Sequence, residues 1–207
     1  FESVLMSAFF GVTVGLALES RKRYGVFGVA SAAVGVLSLM AIFTAPYISG
    51  RDIGGEIRQN AGILMTYWLY IHVVLVTASY ALIAMTFVLG VCYIIRMMMN
   101  DRSPTLKTLD ECNVVLLQLA FWLLGVGIVT GALWADVSWG RPWGWDPKET
   151  FALVTWIVYL IIVHIRFVTG GQSRALTTSV LSIIGFFVML FNWIGVNFFL
   201  VGLHSYA

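Results

Sequence analysis

"VVLLQLAFWLLGVGIVTGALW", residues 114–134, is the stretch on which the fold turns. It holds no charged side chain from end to end, and ~20 apolar helical residues are what the ~30 Å hydrocarbon core of a bilayer requires. The rest of the chain agrees with it. Of 207 residues, 60% are hydrophobic and 11% charged, and the mean hydropathy is +0.92, whereas a soluble globular domain carries about 25% charged residues. The chain therefore reads as an integral membrane protein.

Five further apolar runs lie outward from this one, at 4–18, 26–45, 65–95, 151–163 and 176–203. The spacing predicts an all-α polytopic fold of about six transmembrane helices with an external tryptophan-rich loop. The run 151–163 is short, which its tryptophan and arginine flanks accommodate. The sequence opens at Phe1 without a methionine or a charged leader, so its first helix reads as the remainder of a longer one. No soluble domain, linker, low-complexity tract or internal repeat is visible.

The 12 basic and 10 acidic residues, net +2, gather in short loops and report topology rather than a polyanionic partner, so nucleic acid is excluded. Arg21, Lys22 and Arg23, then Arg96, Arg102 and Lys107, then Arg166 and Arg174 mark three loops as cytoplasmic. The outer side then takes the loop 46–64, where Arg51 and Arg58 are balanced by Asp52 and Glu56, the loop 135–150 and the C-terminal tail. Cys92 and Cys112 stand far apart without metal-ligand or CxxC spacing and read as ordinary buried residues.

"GRPWGWDPKET", residues 140–150, combines two functions. Asp146, Pro147 and Glu149 spell a helix start: an N-cap, a proline at the first helical position and an acid reaching back in a capping box. Trp134, Trp139, Trp143 and Trp145 fall at the same outer level, more than helix anchoring needs, and form an aromatic shelf suited to a flat ligand. The three histidines sit in or beside spans, where an ionisable side chain points to function. His72 stands 24 residues before Arg96, about 36 Å of helix, at the outer surface. His204 stands 28 residues after Leu176, about 42 Å if the helix is unbroken, and reaches the same level. His164 lies 13 residues after Phe151, about 20 Å down in the inner half.

Two outer histidines beside a tryptophan shelf make a bis-imidazole cradle for a haem iron. Two other readings stay open on the residues alone. One is a transporter or channel component with His164, Gln118, Asn192 and Asn197 along a polar path; the other is a b-type electron-transfer subunit. The latter expects paired histidines on single helices, and here each stands alone.

"WGRPWGWDPKETFALVTWIVYLIIVHIRF", with "YWLYIHVVLVTASYAL" before it and "GVNFFLVGLHSYA" after it, resembles the WWD signature and flanking histidine segments of the CcsA (or ResC) family of cytochrome c biogenesis proteins. The resemblance covers residues 64–207, with 134–150 as the WWD loop, and leaves 1–63 as N-terminal helices and an external loop without a motif. The relatives CcmC and CcmF share the WWD idea, but "WDPKET" and "GLHSYA" favour CcsA. The resemblance implies that His72 and His204 ligate haem iron, that Trp139, Trp143, Trp145 and Asp146 hold the macrocycle, and that His164 serves a deeper intramembrane site. It implies haem b as the transported substrate, apocytochrome c with its CXXCH thiols as acceptor, and a CcsB-type membrane partner, separate or fused, that completes the deeper site. The chain would be the haem-binding half of a cytochrome c synthase (haem lyase). The host membrane would be the bacterial cytoplasmic membrane, with the thylakoid membrane as the alternative.

Overall fold

A computed structural model describes residues 2–49, 66–99, 104–200 and 202. The helices are α1 (Glu2–Lys22), α2 (Val26–Ser49), α3 (Tyr67–Met98), α4 (Thr105–Trp139), α5 (Pro147–Val168), α6 (Gly171–Leu190) and α7 (Val196–Phe199), with a π-helical turn at Phe191–Gly195 between the last two. Among the described residues, five helices are long and apolar enough to cross a bilayer, and α2 contributes the shorter apolar stretch Val26–Met40. The protein is thus an all-α polytopic membrane protein. Most of the loop 46–64, including Arg51, Asp52, Glu56 and Arg58, lies outside the described residues, as do Arg102 and His204.

Three spans differ from the sequence expectation. Helix α4 continues to Trp139, so Trp134 and Trp139 are helical and the connection to α5 shrinks to residues 140–146. Gly140, at φ +71°, ends α4 in the left-handed conformation that glycine adopts without a Cβ penalty, and its N–H donates to the Asp136 carbonyl at 2.8 Å. Helix α5 runs for 22 residues rather than the short 151–163, about 33 Å and enough to span. Its capping box starts it four residues before the apolar run, and Arg166 carries it past Val163. The last apolar run carries a π turn within its helix, and helical structure ends at Phe199, with Leu200 extended at φ −120°, ψ 136°.

Helix α3 sits centrally, against α1, α2, α4 and α6. Lipid tails are as apolar as leucine, so helices in a bilayer associate through close backbone approach and interhelical hydrogen bonds. The Ser7 hydroxyl donates to the Thr77 carbonyl at 3.0 Å, and that of Ser31 to the Gly11 carbonyl at 3.2 Å. Gly90 lets α3 approach α6, since a Cβ there would lie 2.8 Å from the Ser179 carbonyl oxygen. Ser7 and Gly11 meet Thr77 and Ala81 in the same order, so α1 runs parallel to α3. The Arg21 to Arg23 turn therefore joins the Arg96 and Arg166 ends at one end of the bundle.

That end is tied by an ion pair. Arg166 on α5 donates to both carboxylate oxygens of Asp110 on α4, at 2.6 and 3.0 Å, and to the Thr178 hydroxyl of α6 at 3.0 Å. With side-chain exposures of 16% and 21%, the pair is largely shielded from solvent. Removing one partner of such a pair strands the other charge at a cost of about 3–5 kcal/mol. Asp110→Ala is accordingly expected to lower the thermal unfolding midpoint in detergent sharply, while Asp110→Asn, which keeps one acceptor oxygen, loses less. Equal midpoints for Asp110→Ala and the unmodified protein would show that the tie carries no stability.

Candidate functional site

The opposite end of the bundle holds the histidine and tryptophan cluster. His72, in the second turn of α3, is half-buried, with Nδ1 2.7 Å from the Gly127 carbonyl oxygen of α4. A carbonyl only accepts, so Nδ1 carries the proton and the lone pair is on Nε2. This is the tautomer, fixed by a backbone acceptor, that a metal-binding imidazole needs. Space for the ring comes from Gly131, where a Cβ would lie 2.6 Å from His72 Nδ1 and 2.7 Å from its Cε1. Gly127, one turn earlier, brings the helices together: a Cβ there would lie 2.9 Å from Val76 Cγ2. The His72 and Trp134 rings are parallel to within 4°, offset at a centroid distance of 6.3 Å, and Trp139 packs edge-on to Trp134 at 4.7 Å.

The loop 140–146 supplies the other wall. Trp143 and Trp145 are perpendicular, at 89° with centroids 5.8 Å apart. Trp145 has φ +55°, a conformation that costs a non-glycine residue about 1–3 kcal/mol and persists only where its surroundings hold it. Glu149 does the holding: its Oε2 accepts from Gly144 N at 2.8 Å and from Asp146 N at 3.1 Å, on either side of Trp145. The second bond belongs to the capping box in which the Asp146 side chain caps α5. The helix start read from "DPKE" is therefore present.

A pocket opens between these elements, walled by His72, Trp134, Trp143, Lys148 and Glu149 with small apolar residues of α4 and α5 between them. Of the residues proposed from sequence, His72 and Trp143 line it. Trp139 backs Trp134, Asp146 is buried at the helix cap, and Trp145, 69% exposed, stands edge-on behind Trp143. Gly202 touches this end: a Cβ there would run into Asp146 Oδ1 and lie 3.0 Å from Pro147 Cδ. His164 is near the other end of α5, exposed, with Nδ1 2.8 Å from the Leu160 carbonyl of its own helix, so its proton too is on Nδ1 and its lone pair on Nε2. Among the described residues no three His, Cys, Asp or Glu side chains converge. Neither cysteine is in a disulfide; Cys112 is buried and Cys92 half-buried.

Sequence reasoning missed Gly127 and Gly131, although their GxxxG spacing is a readable sign of close helix approach, and it missed Lys148 and Glu149 as pocket walls. Among the described residues the polar path of the transporter reading does not assemble. Gln118 and His164 face out of the bundle, while Asn192 is buried with its Nδ2 donating to the Tyr80 hydroxyl at 2.9 Å; the Asn197 side chain lies outside the described residues.

These features define a polytopic membrane protein with an imidazole and aromatic pocket at one end of its helix bundle. The profile of the Cytochrome C assembly protein family matches residues 1–204, including the first 63 residues, which carry no motif of the resemblance. The chain belongs to that family of cytochrome c biogenesis proteins. It is 38% identical to Protein NrfI of Wolinella succinogenes over 75% of its own length and 18% of NrfI. It is 35% identical to the cytochrome c biogenesis protein CcsA of Chlamydomonas reinhardtii over 70% of its length and 42% of that protein. With CcsA of Gloeobacter violaceus the identity is 44% over 51% of the chain and 31% of the relative. The chain thus spans less than half the length of each of these three relatives.

Proposed function

We propose that this protein carries haem b across a bacterial cytoplasmic membrane, or a thylakoid membrane, and presents it at the tryptophan pocket for covalent attachment to apocytochrome c. One observation carries the reading: His72 stands at the pocket wall with Nδ1–H given to Gly127 and its lone pair on Nε2, beside the parallel ring of Trp134. The residues fit the porphyrin, whose faces need apolar walls and whose iron prefers imidazole. His204 is the second ligand. It follows, two residues on in the sequence, Gly202, which packs on Asp146 at the pocket end.

In this reading His72 and His204 hold the iron low-spin, Trp134 and Trp143 orient the ring, and the chain donates no nucleophile. The acceptor's CXXCH thiols add across the two vinyl groups: each sulfur bonds one vinyl carbon, and the proton goes to the other, with no net oxidation. The protein is then the haem-binding half of a synthase. His164, whose side chain leaves the bundle, serves the inner site together with a ligand from a CcsB-type partner, and the pocket end faces the periplasm or lumen.

The visible spectrum of the purified protein with its membrane partner tests this. A reduced low-spin haem signal is expected, and His204→Ala is expected to shift it to a high-spin form. A correctly folded but colourless protein, or an unaltered low-spin spectrum in His204→Ala, sinks the bis-histidine reading.

A further inference from the structure

A lysine near the end of a spanning helix usually snorkels, drawing its ammonium out to the water beside the membrane. Lys148, in the first turn of α5, does the opposite. Its Nζ donates to the Asn192 carbonyl at 2.7 Å and to the Trp193 carbonyl at 3.0 Å, both in the π turn Phe191–Gly195. Such a turn holds one residue more per hydrogen-bonded ring than an α-helix, and the carbonyls it displaces need other donors inside a bilayer. The turn is fixed from its far side as well: the buried Asn192 side chain donates to the Tyr80 hydroxyl at 2.9 Å, and the Trp193 ring lies 5.2 Å from that of Tyr80. The ammonium is thereby held in one place, and Lys148 is at the same time part of the pocket wall.

Capping two carbonyls does not require a charge. A neutral amide would donate to them without the desolvation penalty of an ammonium, so the charge has a use of its own. In a pocket whose walls are mostly apolar and aromatic, a unit charge acts far more strongly than in water. We infer that Lys148 sets the redox balance of the iron at this pocket: its charge disfavours ferric haem, which carries one positive charge more than ferrous haem, and so raises the reduction potential. The carboxylates beside it, Asp146 and Glu149, are engaged by backbone N–H groups, and without Lys148 they would leave this end of α5 negative and favour ferric iron. This role depends on the pocket being a haem site with His72 as a ligand, as proposed above, and on no other residue of the chain. It serves the attachment reaction directly. Two ferric irons would take the two electrons that close a CXXCH pair into a disulfide, with release of two protons; ferrous iron takes none and leaves both sulfurs for the vinyl groups.

The test uses the full chain, purified with its membrane partner and loaded with haem b, and reads the midpoint potential of the haem signal that His72→Ala abolishes. Lys148→Gln and Lys148→Met both remove the charge, but glutamine keeps a donor for the carbonyls and methionine does not. Lys148→Arg keeps the charge and disturbs the fit. One unit charge in a pocket of effective dielectric ~20 shifts an equilibrium by about tenfold, which for a one-electron couple is about 59 mV. Both neutral variants are expected to lower the midpoint by that amount, and Lys148→Arg to hold it. Where a variant sheds its haem on purification, ferric and ferrous haem b are titrated into the haem-free protein instead. The ratio of the two dissociation constants is then expected to move about tenfold in favour of ferric haem, whereas damage to packing weakens both forms alike. An unaltered midpoint and ratio in Lys148→Gln overturns the proposal, even if Lys148→Met falls, because the lysine would then act only as a cap. A fall in Lys148→Arg as large as that in Lys148→Gln overturns it too. An unmodified protein with no His72-dependent haem signal defeats the haem reading and this inference with it. A His72-dependent signal whose midpoint ignores Lys148 defeats this inference alone.

Discussion

Gly131→Ala is expected to empty the pocket almost as thoroughly as His72→Ala. A methyl group at this position would lie 2.6 Å from Nδ1 and 2.7 Å from Cε1 of His72, closer than side-chain carbons approach any ring. Helix α4 cannot retreat easily, because Gly127 fixes the approach of the same two helices one turn away. The imidazole must therefore rotate, giving up its 2.7 Å bond to the Gly127 carbonyl and with it the orientation of the Nε2 lone pair. Loss of the group that orients a metal-binding histidine costs ~10–100-fold in affinity, and displacing the ring itself belongs at the upper end. Haem retained by Gly131→Ala is expected to fall about hundredfold, as in His72→Ala. Gly125→Ala is the control, since its methyl would meet Trp156 at 2.7 Å, away from His72. It disturbs α4 against α5 but is expected to leave the haem spectrum low-spin. A Gly131→Ala protein with full haem and an unshifted spectrum would remove His72 from the ligand set.

Why were the two glycines and the π turn not legible, when the membrane class and the α5 cap were? The class followed from long uncharged runs such as 114–134, and the cap from "DPKE", because both are written in consecutive residues. The level of His72 was legible for a related reason: α3 is continuous from Tyr67 to Met98, so counting residues from Arg96 measures distance. For His204 the count runs along a helix that holds a π turn and ends at Phe199, and the histidine itself lies outside the described residues. Nothing in "FNWIG" separates a π turn from more of the same apolar helix. It depends on partners far away in sequence, Tyr80 for Asn192 and Lys148 for two carbonyls. The apolar run of α4 ends at Trp134 because Asp136 and Ser138 follow it, yet backbone hydrogen bonding does not stop at the edge of the hydrocarbon and the helix continues to Trp139. Proximity in sequence puts the four tryptophans on one shelf. The end of α4 and the loop 140–146 sort them instead: Trp134 and Trp143 reach the pocket, Trp139 supports one of them, and Trp145 stands outside.

His164→Ala is expected to lower the haem that reaches the pocket by about tenfold, the range found when a metal site loses a contributing group, without altering the spectrum of what arrives. The geometry separates the two effects. His164 lies 17 residues beyond Pro147 on α5, about 25 Å from the pocket end, and touches none of the pocket walls. It closes a stripe of exposed residues, Val154, Ile157, Ile161 and His164, at helical spacing, and is the sole ionisable member of that apolar face. Such a group in a span is costly unless it faces a partner or a polar ligand. Arg166, about 200° around the helix, is clamped inward by Asp110 and Thr178, which keeps His164 turned out. Its Nδ1–H is occupied by the Leu160 carbonyl, so the lone pair on Nε2 is what it offers to anything docking from outside. Two measurements on the same preparation decide the matter: haem per protein, and the reduced low-spin spectrum. Lower occupancy with an unchanged spectrum supports entry through His164. Unchanged occupancy would exclude that route, and a changed spectrum would mean that the two ends of α5 are coupled through the helix itself.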